Sequence, residues 1–283
     1  MHGTLLFGID VESASEASVG VAKWGTELFA ELETPVTYYV TGLTLEAYPE
    51  AFQEVDRSPW VELQCHTYNH LLLKTVLVQV PPGKVIHDST DWFMERGGSV
   101  AEVEADLTRC QALWERVLGR RATALTGPWC YYRGLGDRPD LLEVVCGLGF
   151  RALRCWGRDE RDGQPTPLEW QPFFYRVQGF PEALEIFCHD YQDDFYWRMF
   201  VQPGPQERYV DHLKTVADRV ARENLVWSMA SHDHGCDTPE GFAQKGDWWR
   251  EILGYAQGLG IRCMAVSEFY EERRKQEQEQ GKG

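Results

Sequence analysis

Two histidines four residues apart, His66 and His70 in the stretch LQCHTYNH, follow an apolar run that reads as a strand. Imidazoles at that spacing can hold a divalent ion when a third donor lies near. Spacing alone is a weak signal, because random placement of 8 histidines in 283 residues gives about 0.2 such pairs. Candidates for the third donor stand in Asp10-Val-Glu12, where carboxylates at i and i+2 point the same way in extended backbone. His189-Asp190 and Ser231-His232-Asp233-His234 follow two further strand-like runs. A carboxylate and two imidazoles with open positions make a hydrolytic metal site, in which the ion polarises a carbonyl and lowers the pKa of water. A second carboxylate can then take a proton, and a histidine opposite can give one to the leaving group. Plainer readings stand beside these: Asp10 and Glu12 as a solvated strand-end pair, His66 and His70 as residues bonded to backbone carbonyls. His87, His189 and His212 read as structural or surface residues.

The elements that must position these residues alternate along the chain. TLLFGI (4–9) is followed by Val21, Trp24, Leu28 and Leu32, one apolar helix stripe, and VTYYV (36–40) by Leu45, Tyr48, Phe52 and Val55. WVELQC (60–65) is a third strand. Ser99-Val-Ala-Glu102 is a capping box that opens the next helix. Strands are expected at ATAL (122–125), FRALRC (150–155), ALEIFC (183–188), LVWSMA (225–230) and IRCMAV (261–266), with a helix starting at Pro139 and two more between the last three strands. About eight βα units predict an α/β fold: a deformed (β/α) barrel of about seven to eight parallel strands in one domain, residues 1–270, with a doubly wound open sheet as the alternative. In such a barrel the reactive side chains stand at the carboxyl ends of the strands, where the acids and imidazoles collect here. Residues 71–98 read as an inserted lid or subunit contact carrying Trp92, Phe93 and Met94, and 271–283 as a polar C-terminal tail.

A net charge of −16 and a pI near 4.9 oppose nucleic acid and anionic membrane surfaces as partners. No apolar run approaches the ~20 residues needed to span a bilayer. The start MHGTLLFGID lacks the basic and apolar regions of an export signal, and the eight cysteines are scattered without a CxxC pair. A cytoplasmic protein with buried free thiols is expected, acting on a small molecule or saccharide, with a homo-oligomer allowed.

Asp10-x-Glu12, His66-Thr-x-x-His70, the Gly-Pro-Trp turn at 127–129 and a strand ending in His232 after Met229-Ala-Ser occur in the order of the polysaccharide deacetylase, or NodB-homology, superfamily, which the chain resembles over residues 4–270. The resemblance implies a metal-dependent hydrolase of non-peptide amide bonds, most simply the N-deacetylation of an amino sugar or related small amide. It matches Asp10 to the catalytic base, Glu12, His66 and His70 to the ligands of one divalent ion, most simply zinc, and His232 to the catalytic acid. Trp129 falls where the family offers a backbone N–H to an oxyanion, and Asp190 and His234 are expected on the same substrate side. The chain departs from the family in carrying Glu12 for Asp, His232-Asp233 for His-Pro, and Thr126 where an arginine braces the base, with Arg133 on the same loop as a replacement. A cyclic imide hydrolase of the same fold, or a non-catalytic barrel that binds a sugar or small molecule, are the alternatives. The missing arginine favours the last, and Asp10 beside a full ligand set favours catalysis.

Overall fold

The computed structural model of the chain describes residues 3–80, 83–85, 88–201, 207–234 and 239–280; His87 and Cys236 lie outside them. Eight strands run parallel in one sheet: β1 (Thr4–Val11), β2 (Val36–Val40), β3 (Val61–Cys65), β6 (Ala124–Tyr132), β7 (Ala152–Arg158), β9 (Phe180–Glu185), β10 (Val226–His232) and the two-residue β11 (Arg262–Cys263). β8 (Phe173–Tyr175) pairs antiparallel with β9, and β4 (Val76–Gln79) and β5 (Trp92–Glu95) form a separate antiparallel hairpin. The order β10-β1-β2-β3-β6-β7-β9-β8 is that of a deformed (β/α) barrel. Strands buried on both faces need continuous apolar runs, and Leu5, Phe7, Ile9 and Val11 of β1 and all five residues of β2 are indeed buried.

Side chains carry the seam between β9 and β10, where no ladder joins the two strands among the described residues. The backbone N–H of His189 donates to the Ser228 carbonyl (2.9 Å), while its ring Nδ1 accepts from the Ser228 N–H (3.0 Å) and its Nε2 meets the Trp170 carbonyl (2.6 Å). Gln171 likewise takes the N–H of Val226 (2.8 Å) and donates to its carbonyl (3.0 Å), as a strand backbone would. Burial lowers the His189 pKa to about 4, so the ring sits there neutral. This is the structural role expected of it.

Helices cover the outside: α1 (Glu16–Glu31), α2 (Gly42–Ala47), α3 (Pro49–Val55), α4 (Val100–Leu118), α5 (Pro139–Gly147), α6 (Asp193–Tyr196), α7 (Glu207–Glu223), α8 (Pro239–Gly258) and α9 (Val266–Gln280). The capping box forms as expected, with Ser99 and Glu102 each taking the other's backbone N–H. Two expectations fail for local reasons. The stripe from Leu45 to Val55 is two helices, because Pro49 lacks an N–H and forces Tyr48 out of helical geometry (φ −136°, ψ 54°). The run at 261–266 ends as a strand at Cys263, since the N–H groups of Val266 and Ser267 bond to Thr37 Oγ1 and Glu62 Oε2 and open α9 instead. That helix carries the polar tail on to Gln280. No helix among the described residues is long and apolar enough to cross a membrane.

Candidate functional site

Register places the first pair of groups. Asp10 of β1 lies opposite His232 of β10 in the parallel ladder, so the two side chains emerge together at the carboxyl end of the sheet. Glu12 stands two residues beyond Asp10 on the same side. Asp233 fixes this strand end: its N–H donates to the Asp10 carbonyl (3.0 Å) and its Oδ2 accepts the N–H groups of Glu12 (3.1 Å) and Ser13 (3.3 Å). A proline after His232 could make neither its N–H bond nor the carboxylate bonds, so this departure from the family pattern has a structural use here.

The brace of Asp10 comes from a residue that sequence reasoning passed over, inside an expected strand. Arg154 of β7 reaches across the barrel and ion-pairs Asp10 Oδ1 through Nη2, with the guanidinium only 1% exposed and 4.3 Å from the centre of the Tyr39 ring. Its Nε donates to Thr126 Oγ1 (2.9 Å), whose hydroxyl donates to the Arg154 carbonyl (2.9 Å). Thr126 thus holds the arginine rather than lacking one. Gly8 makes room for it, since a Cβ there would stand 2.6 Å from Arg154 Nη1. Arg133, the expected replacement, lies exposed on the Tyr132 ring (5.0 Å). An arginine inside the apolar strand FRALRC was the available signal, because a buried cation needs a buried partner.

The histidine loop is held by its backbone. Thr67 and His70 adopt positive φ (57° and 59°), and Asp106 of α4 accepts the N–H groups of Tyr68 (2.6 Å) and Asn69 (3.4 Å). His66, fully buried, sets its Nδ1 on the Thr126 carbonyl (3.2 Å), the orientation that leaves Nε2 for ligation. The Nε2 atoms of His66 and His70 lie 3.2 and 3.1 Å from one oxygen, Glu12 Oε1. Four ligands placed tetrahedrally at about 2.0 Å from an ion stand about 3.3 Å apart. The donor set therefore fits a divalent ion, and the extra methylene of Glu12 does not spoil the fit. Burial works to raise the Glu12 pKa, but the two histidines and the charge of His232 hold it well below the usual carboxylate range.

The opposite wall is built on His232. Its Nδ1 meets Asp193 Oδ1 at 2.6 Å, and Asp193 Oδ2 also takes Ser231 Oγ (2.6 Å), the His232 N–H (3.2 Å) and an ion pair with Lys245 (3.0 Å). Burial disfavours the charged imidazole, yet Asp193, Asp194 and Glu12 together raise its pKa well above the ordinary histidine value. Burial alone would also push the Asp193 carboxyl up; Lys245 and His232 hold it far below. His232 Nε2 faces the site, 3.9 Å from both Asp10 Oδ2 and Glu12 Oε1. His234 stacks near it (4.7 Å) and lies 3.6 Å from Glu12 Oε2 and 3.7 Å from Asp194 Oδ2, at a more exposed position.

These groups open into a cavity of about 430 Å³, whose far wall includes Val78 and Phe93 of the hairpin, Trp129, Arg158 and Gln192. Trp129 sits in an irregular stretch of β6 at φ +67° with its ring against Phe93 (5.5 Å). Asp190, expected on the substrate side, does not line this cavity. Its Oδ2 pairs with His212 Nε2 (2.5 Å), and it borders a separate shallow pocket on the side of α7. The acids on this side of the site are Asp193 and Asp194, which open α6 a few residues later; Lys245 was missed because α8 returns it from far along the chain.

A family model described as polysaccharide deacetylase matches residues 20–136. No curated protein sequence matches the chain. Among solved structures the fold is similar to that of a protein assigned as a polysaccharide deacetylase from Mycobacterium smegmatis, with a TM-score of 0.66 at 15% identity over 97% of this chain and 91% of that one. It is also similar to the PuuE allantoinase (0.64, 13%, 95% and 89%) and to a mutant of the peptidoglycan deacetylase PdaC from Bacillus subtilis (0.50, 16%, 99% and 95%). At these identities the likeness is one of fold.

Proposed function

We propose that the chain is a metal-dependent amide hydrolase of the polysaccharide deacetylase, or NodB-homology, type, a reading supported by the family model over residues 20–136 and by the likeness of fold, and that it removes the acetyl group from a small N-acetylated amino sugar or related small amide. Glu12, His66 and His70 hold one divalent ion. An N2O donor set of two imidazoles and a carboxylate suits zinc. When bound, the ion supplies Lewis-acid polarisation of the scissile carbonyl and a lowered pKa for water. Asp10, ion-paired to Arg154, takes the proton from the attacking water. His232, held protonated by Asp193, donates one to the departing amine. Trp129 offers its N–H to the oxyanion, and His234 contacts the substrate from the solvent side.

The observation that carries this reading is the convergence of His66 Nε2 and His70 Nε2 on Glu12 Oε1, with Asp10 and His232 flanking it. The β4–β5 hairpin puts Val78 and Phe93 on the cavity wall, which supports a lid that admits a monomeric substrate and excludes a polymer. All seven described cysteines are unpaired, which supports a cytoplasmic site of action. The test is metal content and acetate release on monomeric N-acetyl sugars, a small imide and a long chitin oligomer. His66→Ala should lose most of the bound metal; equal metal content in the variant and the parent would place the ion elsewhere. Strong preference for the oligomer would overturn the small-substrate reading. Turnover of the imide alone would favour the cyclic imide alternative, toward which the fold likeness to an allantoinase points.

A further inference from the structure

β7 carries a second arginine on the same face as Arg154, four residues on and at the mouth of the barrel. Arg158 is 6% exposed and lines the cavity. Its Nε donates to the carbonyls of Trp129 (3.0 Å) and Cys130 (3.2 Å), and its Nη1 to the carbonyl of Asp162 (2.6 Å). Those partners are neutral. Among the described residues no carboxylate lies within 4 Å of the guanidinium, and Nη2 makes no hydrogen bond. The two acids whose charge reaches it are otherwise engaged: Asp162 accepts the Leu77 N–H (3.0 Å), and Asp194 lies by His232 and His234 (3.9 and 3.7 Å).

Burial opposes the charge, but a guanidinium stays protonated in proteins. A buried cation without an ion pair is costly, and Arg154, equally buried, has its carboxylate in Asp10. Among the described residues Arg158 is the only lysine or arginine on the cavity wall, whose other ionisable groups are Asp10, Glu12, Glu95, Asp194 and three histidines, His70, His232 and His234. Apart from His232 and the metal site, which the reading above gives to the scissile acetamide, Arg158 is where an anion entering this acidic cavity is attracted. The three carbonyls fix the plane of the fork, so the free edge is oriented before anything binds.

We propose that Arg158 is a substrate-binding residue for a carboxylate, and hence that the physiological amide carries a carboxylate group in addition to its acetamide. The ring of Trp129 lies 5.8 Å from the guanidinium, and Gln192 lines the same cavity. The proposal rests on the reading of the chain as an amide hydrolase and narrows its substrate to acidic amides.

Two matched pairs test it: 2-acetamido-2-deoxyglucuronic acid against its carboxamide, and N-acetylglycine against its carboxamide. Acetate release and calorimetric binding are measured on the metal-loaded enzyme at pH 7. In at least one pair the acid should exceed the carboxamide by about 10-fold or more in kcat/KM and in affinity, the size of a charge-assisted hydrogen bond. Arg158→Gln should bring that ratio to about 1 with metal content unchanged, whatever it does to the absolute rates, and Arg158→Lys should retain part of the preference. Should Arg158→Gln fail to fold, the ratios in the unaltered enzyme still decide. Acetate release without preference for either acid overturns the carboxylate site and leaves the hydrolase standing. Arg158-dependent preference in binding with no acetate release from any compound overturns the hydrolase reading and leaves the carboxylate site standing. No preference in binding for either pair overturns the proposal.

Discussion

On one side of the cavity Asp10 lies against the Arg154 guanidinium, and on the other His232 lies against Asp193, itself backed by Lys245. Both are buried pairs in which the group facing the cavity is held by a partner of opposite charge. They differ in what carries the partner. Arg154 projects from a central strand, held by Thr126 and the Tyr39 ring. Asp193 stands on a four-residue helix and Lys245 on α8, both outside the sheet. Groups borne by strands are placed more tightly than groups borne by short connecting elements. In the proposed reaction the proton-accepting side would therefore be built for constancy, and the proton-donating side would be the one that substitutions can tune.

The largest test of this contrast is Asp10→Asn. It should lower kcat by at least about 10³-fold with metal content unchanged, because it removes a proton acceptor and no ligand; near-normal turnover would put the base elsewhere. Next is Arg154→Met, which strands Asp10 in the interior. Breaking a buried pair from one side costs about 3–5 kcal/mol, and chemical denaturation should show a loss of that order. Stability within about 1 kcal/mol of the parent would mean that Asp10 does not depend on Arg154.

Asp193→Asn should be milder, about 10²-fold in kcat, and should move the pH profile. His232 has a folded pKa well above its ordinary value, so its proton is kept as pH rises past the usual histidine range. Without the Asp193 charge that value falls, and the basic limb of kcat should shift to lower pH. The same raised pKa contributes folding stability that is fully present below about pH 6.5 and lost as pH rises through the folded value. The variant should lack that dependence; an unmoved basic limb would assign it to another group. Smallest is His234→Ala, expected to cost less than about 10-fold, well below His232→Ala. The reverse order would make His234 the acid.

Much of the site was readable because its groups follow strand ends that announce themselves. Apolar runs marked β1, β3 and β10 closely enough that Asp10, Glu12, His66, His70 and His232 fell where they do. Partners brought in from elsewhere were not readable in that way. Asp193 was displaced by Asp190 because β9 ends at Glu185 and the chain spends His189 on the seam with β10, so the strand's end does not coincide with the site. Arg154 was hidden within a strand whose other residues spoke only of core. The Thr126 carbonyl that orients His66 is a backbone group, which no pattern of side chains can reveal. The Glu12 substitution and the Asp233 substitution, which as letters weaken the family pattern, are both accommodated by bonds visible only in three dimensions.

The turn after β7 ties together two parts of the cavity wall that are far apart in sequence. The Asp162 carbonyl takes Arg158 Nη1, while its carboxylate takes the backbone N–H of Leu77 in the hairpin. A single residue thus belongs to both the guanidinium's scaffold and the cover over the cavity. Thermodynamic reciprocity then applies: whatever free energy a ligand at Arg158 contributes to steadying the hairpin, a steadied hairpin returns as affinity at Arg158. Amide hydrogen exchange at Leu77 should slow when such a ligand binds and lose that response in Asp162→Ala. Substrate choice and closure of the chamber would then be two readouts of one equilibrium, with the turn at 159–163 as the element they share.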